Sequence, residues 1–99
     1  MILTYTMIKK YKPCADGFKK YKRLFPDEVF VTEHFIIAAG YMRLHAVWLM
    51  ACILGDKNSG YYNLEVSTKM VDEFLERNPC DPGAPAKIAV KYAKKAGII

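Results

Sequence analysis

The sequence has few of the residues from which metal sites and disulfide frameworks are built. Its three cysteines and two histidines form no CxxC, HxxxH or CxH pair, although metal ligands recur at such short spacings. We therefore expect no metal site and no cofactor. Three is also an odd number of cysteines, which argues against a disulfide framework and favours the reducing cytoplasm. Cys14, Cys52 and Cys80 are accordingly predicted to be free thiols.

Long apolar runs are missing as well. The longest, AVWLMACIL at 46–54, has nine residues, whereas a membrane-spanning helix needs about 20, so we expect a buried core helix there. The opening MILTYTMIKK places its charges after its apolar residues, the reverse of a secretory signal. Both features predict a cytoplasmic protein with no membrane partner.

The usual signatures of catalysis are also absent. The glycine-containing segments GFKK and GDKNSG do not fit a phosphate-binding loop. Nucleophilic catalysis needs a cysteine or serine beside an oriented histidine, but Cys52, His34 and His45 all lie among apolar residues. A packed thiol and two structural histidines are the simpler interpretation. We predict that the protein is not an enzyme.

Positive charge is abundant, and it is concentrated at both ends of the chain. Residues 1–25 hold seven Lys or Arg and one acid, residues 26–82 hold four bases and nine acids, and residues 83–99 hold four lysines and no acid. Basic ends can attract phosphate or an acidic protein surface. The alternative is that these charges serve solubility alone.

The length of 99 residues and the apolar content of 53% predict a single domain, 1–99, with its own core. No segment alternates between apolar and polar residues for more than a few positions, so we predict an all-α fold of five or six short helices. The alternative is an α+β fold with a small β ribbon near the N-terminus. Its strand candidates are Ile2–Ile8 and Glu28–Thr32.

Proline, glycine and capping residues set the predicted helix bounds. Thr6 would cap a first helix that reaches about Tyr11, and Pro13 would lie in the first turn of a second helix that Pro26 ends. The second helix has apolar residues at three- and four-residue spacing, which predicts one buried face. Those residues are Cys14, Phe18, Tyr21 and Phe25.

Four further helices are predicted in the rest of the chain. Thr32 would cap the third, which closes at Gly40, and the fourth would run from about Met42 to Leu54 as the most buried helix. Its stripe is Leu44, Val47, Trp48 and Ala51. The fifth would extend from about Asn63 to Arg77, with Met70, Phe74 and Leu75 on its apolar face. The sixth, from Ala86 to about Ala96, would bury Ile88, Ala89, Tyr92 and Ala93 before stopping at Gly97.

The tetrapeptide KKYK occurs twice, around Tyr11 and around Tyr21. Basic residues interleaved with aromatics are what a nucleic-acid-binding surface needs. Pro13 separates the two copies into different helices, however, and Tyr21 falls on the apolar stripe, so we predict that Tyr21 is core and its neighbouring bases are exposed. The candidate binding residues are Lys9, Lys10, Tyr11, Lys12, Lys19, Lys20, Lys22 and Arg23, with Lys91, Lys94 and Lys95 from the last helix.

The segment Thr6–Leu54 resembles a module common in small, uncharacterised phage and prophage proteins. The matching residues are Cys14, Gly17, Phe18, Tyr21, Phe25, Thr32, Ala39 and Trp48–Leu49. The resemblance implies an accessory protein of a mobile element, of the kind that binds a host complex and includes anti-CRISPR inhibitors. The chain departs from the module in being strongly basic at 9–23 and in carrying His45 where an acid is expected.

Three functions are compatible with this pattern. The leading expectation is a non-enzymatic protein that binds, and inhibits, a host protein or nucleoprotein complex. The alternative is a non-specific nucleic-acid-binding protein, in which the basic ends converge and Tyr11 and Tyr92 are exposed for stacking. A self-assembling structural protein would instead use Phe30, Tyr61 and Tyr62 as its interface. The pattern leaves the oligomeric state open.

Overall fold

A computed structural model describes residues 1–42, 44–77 and 83–99. The described residues form six α-helices and one two-stranded antiparallel sheet. This confirms the mainly helical fold, with the small β ribbon that the alternative placed near the N-terminus. The chain divides into two compact units, Met1–Val31 (unit 1) and Thr32–Ile99 (unit 2). The single domain stays a prediction.

Unit 1 contains a short ribbon and two helices. The order is β1 (Ile2–Leu3), α1 (Tyr5–Lys10), α2 (Ala15–Leu24) and β2 (Val29–Phe30). In the ribbon, Ile2 lies opposite Phe30 and Leu3 lies opposite Val29. Because side chains alternate between the faces of a strand, Leu3 is fully buried while Phe30 is 70% exposed.

The helix bounds in unit 1 differ from the predicted ones by a few residues. Thr4, and not Thr6, caps α1, because Thr4 leaves β1 with an extended backbone and its hydroxyl accepts the Met7 N–H at 3.3 Å. Pro13 lies just before Cys14, the N-cap of α2, and so falls outside the first turn. The helix ends at Leu24, two residues before Pro26.

The core of unit 1 is a cluster of aromatic rings. The ring of Tyr5 meets Phe18 and Tyr21 edge to face, with centroids 6.3 and 6.1 Å apart, and Tyr21 packs on Phe25 at 5.2 Å. The predicted core position of Tyr21 is confirmed, since it is 6% exposed, and burial raises the pKa of its hydroxyl to about 12. Cys14 is exposed, so the predicted buried face is wrong at that one position.

Unit 2 is a helical bundle in which two of the helices each contact the three others. Its elements are α3 (Glu33–Tyr41), α4 (Ala46–Leu54), α5 (Leu64–Glu76) and α6 (Ala84–Lys95). Helix α6 packs against α3, α4 and α5, and α4 packs against α3, α5 and α6. The expected apolar side of α6 is confirmed, because Ile88, Ala89, Tyr92 and Ala93 are all buried.

Local capping signals identified several helix ends of unit 2 correctly. The Thr32 hydroxyl accepts the N–H of Phe35 at 3.0 Å. The Asn63 side chain accepts the N–H of Val66 at 3.1 Å. Gly97 follows α6 with a φ of 78°, the left-handed conformation that favours glycine after a helix. Each signal involves groups a few residues apart, which is why it is visible in the sequence.

Gly40 does not end α3, contrary to the prediction. The helix continues through it to Tyr41, and a Cβ at Gly40 would lie 2.7 Å from the Cβ of Ala86 on α6. The glycine therefore permits two helix backbones to approach each other closely. Because α3 extends further, α4 begins only at Ala46, not at Met42.

Two exposed side chains contradict the predicted core. Trp48 was placed on the buried stripe of α4 but is 36% exposed, while Leu49, Met50, Ile53 and Leu54 are buried. Leu75 was placed on the apolar face of α5 but is 73% exposed. Helix α4 is apolar almost all round, so periodicity did not show which side faces α5 and α6.

A candidate basic interface

Eight of the candidate binding residues lie in unit 1. Lys9 and Lys10 form the last turn of α1, Tyr11 is its C-cap, and Lys12 follows with a φ of 56°. The other four are on α2: Lys19, Lys20, Lys22 and Arg23. The remaining three candidates, Lys91, Lys94 and Lys95, lie on α6 in unit 2.

We define the basic surface as the six cations of unit 1 that form no ion pair among the described residues. They are Lys9, Lys12, Lys19, Lys20, Lys22 and Arg23. Lys20 is half-buried and the other five are exposed. Unit 1 as a whole has seven Lys or Arg and three acids, so most of its positive charge is not neutralised within the unit.

Two of the three acidic residues in unit 1 lie at the N-termini of helices. The Asp27 carboxylate accepts the N–H of Tyr5, the first residue of α1, at 2.9 Å. Asp16 lies in the first turn of α2. A helix N-terminus carries partial positive charge, so a carboxylate there stabilises the helix. Both carboxylates thus lie at helix starts, and among the described residues neither forms an ion pair with a cation of the basic surface.

Helix stabilisation explains part of the basic surface. Lys9 is in the last turn of α1, and Lys22 and Arg23 are in the last turn of α2, where a cation stabilises the helix by about 0.3–1 kcal/mol. Lys12 lies outside both helices, and Lys19 and Lys20 lie in the middle of α2. The last three cations have no such local role.

The aromatic residues of this segment do not form a platform for stacked bases. Tyr21 is buried in the ring cluster, and Tyr11 is half-buried. The ring of Phe18 packs against Tyr5 and is covered by the Lys22 ammonium, whose Nζ lies 4.6 Å from the ring centroid. The basic surface therefore presents charge, and its rings serve the core of unit 1.

Three of the four lysines of α6 have partners within unit 2. The Lys91 ammonium lies 3.1 Å from the carboxylate of Glu73 on α5, and the Lys94 ammonium lies 3.0 Å from that of Glu33 on α3. Lys91 and Lys95 also lie over the ring of Tyr92, at 5.3 and 4.9 Å from its centroid. The two ion pairs connect α6 to its neighbouring helices, whereas the ring contacts lie within α6.

The nucleic-acid alternative required Tyr92 to be exposed for stacking, and this expectation is wrong. Tyr92 is 6% exposed, and its hydroxyl donates to the Glu73 carboxylate. This hydrogen bond lowers the pKa of Glu73, an effect that the hydrogen bond from Lys91 reinforces. The same hydrogen bond to Glu73 raises the pKa of the Tyr92 hydroxyl, because it stabilises the protonated phenol.

Several apolar side chains are more exposed than the sequence indicated. Tyr41 is 81% exposed and Leu64 is 53% exposed in unit 2, and Phe30 is 70% exposed in unit 1. The self-assembly alternative named Phe30, Tyr61 and Tyr62; of these, Tyr62 is 40% exposed and Tyr61 is half-buried. Leu64 was missed although its spacing to Thr68 and Val71 marks a helix face of its own.

Thiols, imidazoles and carboxylates are the side chains of this chain that could bind a metal. Across residues 1–42, 44–77 and 83–99, no three His, Cys, Asp or Glu side chains cluster in a way that could hold a metal ion. Cys14 and Cys52 are free thiols, and burial raises the pKa of Cys52. Cys80 lies outside the described residues. Among the described helices, none has the length and apolar character needed to cross a membrane.

No protein-family model matches the chain, and no curated protein or solved structure is significantly similar to it. The candidate interface therefore rests on the geometry of this chain alone.

Proposed function

We propose that this chain is a non-enzymatic binding protein that uses the basic surface of unit 1 to dock on an acidic region of a protein or nucleoprotein complex. The observation that carries the proposal is the set of six cations without an ion pair among the described residues. A partner that brings carboxylates or phosphates to them would gain electrostatic attraction without breaking an existing ion pair. Such complementarity mainly accelerates association and selects the partner.

A protein component in the partner is favoured by what accompanies the charge. Protein interfaces combine a charged rim with apolar contacts, and unit 1, which holds the basic surface, also exposes Phe30 and Ile2 by 70 and 45%. Binding to duplex phosphates alone requires cations and no apolar surface. Large exposed apolar side chains therefore favour docking on a folded partner.

Non-specific nucleic-acid binding is the second candidate, and the excess of positive charge favours it equally. Stacking on single-stranded bases is not favoured, because Tyr21 and Tyr92 are both 6% exposed. In this alternative the chain would follow a phosphate backbone by charge alone. Its affinity would then fall steeply with salt, with a logarithmic slope of about 0.9 for each phosphate contacted on duplex DNA.

The resemblance of Thr6–Leu54 to small phage proteins supplies a biological setting for the proposal. In that setting the protein acts in the host cytoplasm and inhibits a host complex, for example a CRISPR defence complex. Occupying an acidic or phosphate-bearing region of the complex would block it sterically, without a chemical reaction. The inhibition is then stoichiometric, since one bound copy blocks one complex.

The first experiment captures the partner from host lysate with and without nuclease. A protein that remains bound after nuclease treatment supports the leading proposal. A partner that is lost together with the nucleic acid supports the second candidate. If nothing is captured under either condition at low salt, both are contradicted.

The second experiment measures affinity for that partner at two salt concentrations. The test variant replaces Lys19, Lys20, Lys22 and Arg23 with Gln. The matched control removes the same number of charges from α6, through Lys87, Lys91, Lys94 and Lys95 to Gln. We expect the test variant to bind more weakly, with a smaller salt dependence, and the control to bind like the parent. An equal loss of affinity in both variants would assign the effect to net charge. Unchanged affinity in the test variant would overturn the proposed surface.

Two tyrosine variants separate folding from binding in this experiment. Tyr21→Ala removes a buried ring of unit 1 and should lower stability. Tyr11→Ala, at the half-buried C-cap of α1, should affect binding more than stability. A thermal melt of each variant accompanies the affinity measurement, so that loss of the fold is not mistaken for loss of contact.

A further inference from the structure

Helix α5 has an exposed apolar stripe on the side away from the core. Leu64 and Leu75 are 53 and 73% exposed, with exposed Thr68 and half-buried Val71 between them. Their spacings of four, three and four residues place them along one line of a helix. Met70, by contrast, is fully buried where α5 packs on α4 and α6. The stripe is thus separate from the face that holds the bundle together.

Acidic side chains lie beside the stripe, and two of them are not paired with a base among the described residues. Asp72 and Glu76 form no ion pair among the described residues, and no base lies in the last turn of α5. A helix C-terminus carries partial negative charge, so Glu76 in the last turn disfavours the helix. The remaining flanking acid, Glu65, pairs with Lys69 at 3.1 Å. Asp72 and Glu76 therefore leave unneutralised negative charge beside the exposed leucines.

The charges also argue against a second copy of the chain as the partner of this face. Antiparallel packing of two α5 helices would place Leu64 opposite Leu75, which is favourable. It would also bring Glu65 close to Asp72 of the other copy, because flanking positions face each other in such a pair. Like charges at that distance repel. A partner with basic flanks would avoid this repulsion.

We propose that this face of α5 is a docking surface for an amphipathic helix of a protein partner, with leucine-like residues on its apolar stripe and Lys or Arg beside them. The distance from Leu64 to Leu75 is about 16 Å along a helix axis, enough for three turns of a second helix. Residues spaced by three and four are what a helix needs to interlock with another helix. This surface is opposite in sign to the basic surface of unit 1, and it goes beyond the proposed function.

The test uses the full chain and a synthetic helical peptide of about five turns. The peptide carries leucine at positions repeating every three and four residues, lysine beside them and alanine elsewhere. The control peptide has the same composition in scrambled order, so that its leucines share no face. Binding is measured from the chemical-shift changes of the backbone amides in the NMR spectrum of the protein. We expect saturable shifts at exposed positions of α5 with the first peptide and none with the second.

Protein variants then locate the contact. Leu64→Gln with Leu75→Gln should weaken peptide binding by at least about fivefold, as for side chains that contribute to an interface. Asp72→Asn with Glu76→Gln should weaken it less and reduce its salt dependence. Leu24→Gln is the matched control, because Leu24 is 40% exposed on α2 in unit 1, and it should leave affinity unchanged. All of these residues are exposed, so the variants should fold, and each melting curve checks this.

Three results would overturn the proposal: no binding of the leucine–lysine peptide, equal binding of the scrambled peptide, or shifts that map away from α5. The proposal would also be overturned if the chain self-associates in the absence of peptide and Leu75→Gln abolishes that self-association, because a second copy would then cover the face. The variant lacking charge at Lys19, Lys20, Lys22 and Arg23 should bind the peptide as the parent does. The two surfaces can therefore succeed or fail independently.

Discussion

The lysines of unit 1 and the lysines of α6 are similar in sequence but differ in their surroundings. Both sets flank tyrosines, as KKYK at 19–22 and as KYAKK at 91–95. On α6, Lys91 and Lys94 reach carboxylates on α5 and α3. In unit 1, Asp16 and Asp27 lie at helix N-termini instead. The position of the acids, and not the basic motif, thus decides which cations remain available to a partner.

Two buried tyrosines, one in each unit, also differ in their surroundings. Tyr21 and Tyr92 are each surrounded by basic residues in the sequence, and each is 6% exposed. Tyr21 belongs to an aromatic cluster in unit 1. Tyr92 lies in a polar network with Glu73 and Lys91. In this chain, a tyrosine among basic residues therefore marks the buried face of a helix and does not indicate base stacking.

The largest effect is expected from the core of unit 2. Ile53→Ala removes a fully buried side chain of α4 and should lower the free energy of unfolding by about 2–5 kcal/mol. Trp48→Ala is the control and should cost less, because Trp48 is 36% exposed. Chemical denaturation followed by circular dichroism measures both. A larger loss for Trp48→Ala would contradict its exposed position.

The same denaturation tests whether the two units are one cooperative domain. Unit 1 spans 31 residues, fewer than the roughly 40 below which a domain rarely folds without a staple. Amide signals of unit 1 should therefore disappear together with those of unit 2 in Ile53→Ala. Signals of unit 1 that persist beyond the transition would rule out the single domain.

The next effect concerns the close approach of α3 and α6. Gly40→Ala gains helix propensity of about 1 kcal/mol, but its Cβ would lie 2.7 Å from that of Ala86. Such overpacking typically costs about 1–3 kcal/mol, so we expect a net loss of stability. The double variant Gly40→Ala with Ala86→Gly should relieve the clash. If Gly40→Ala alone raises the melting temperature, the helices are further apart than the structure places them.

A smaller effect compares the two sets of lysines directly. Lys91→Gln with Lys94→Gln breaks two ion pairs between helices of unit 2, each worth about 0.2–1 kcal/mol at an exposed site. Lys19→Gln with Lys20→Gln breaks none among the described residues and should leave stability nearly unchanged. The free energies of unfolding at low and high salt measure both. Equal losses for the two pairs would remove the distinction on which the basic surface rests.

The smallest effect is a pH dependence that arises from Glu73 in unit 2. The pKa of Glu73 is lowered below its ordinary value near 4.5 in the folded chain, so its carboxylate stabilises the fold above that pH. The contribution is lost as the pH falls through the folded pKa. Glu73→Gln should therefore melt lower than the parent at pH 6, and the difference should shrink on acidification towards pH 3. A difference that stays constant over this range would contradict the hydrogen bonds from Tyr92 and Lys91.

The sequence alone determined the elements whose signals are local. Thr32, Asn63 and Gly97 identified helix ends because their hydrogen bonds or backbone angles involve neighbouring residues. Tyr21 was recognised as core because its spacing to Phe18 and Phe25 repeats with the helix. The eleven candidate binding residues were proposed from the sequence, but the sequence did not show which of their side chains already have partners within the fold.

Only the tertiary structure decided which side of each helix is free. Trp48 is exposed because α4 uses its other apolar side against α5 and α6, a choice that an apolar helix does not reveal in its periodicity. Gly40 lies inside α3, where the missing side chain permits Ala86, far along the chain, to approach closely. Lys94 is engaged because the fold brings Glu33 to it. Packing and ion pairs join residues that are distant in the sequence. Each helix could therefore be predicted separately, whereas the surface that the helices leave for a partner could not.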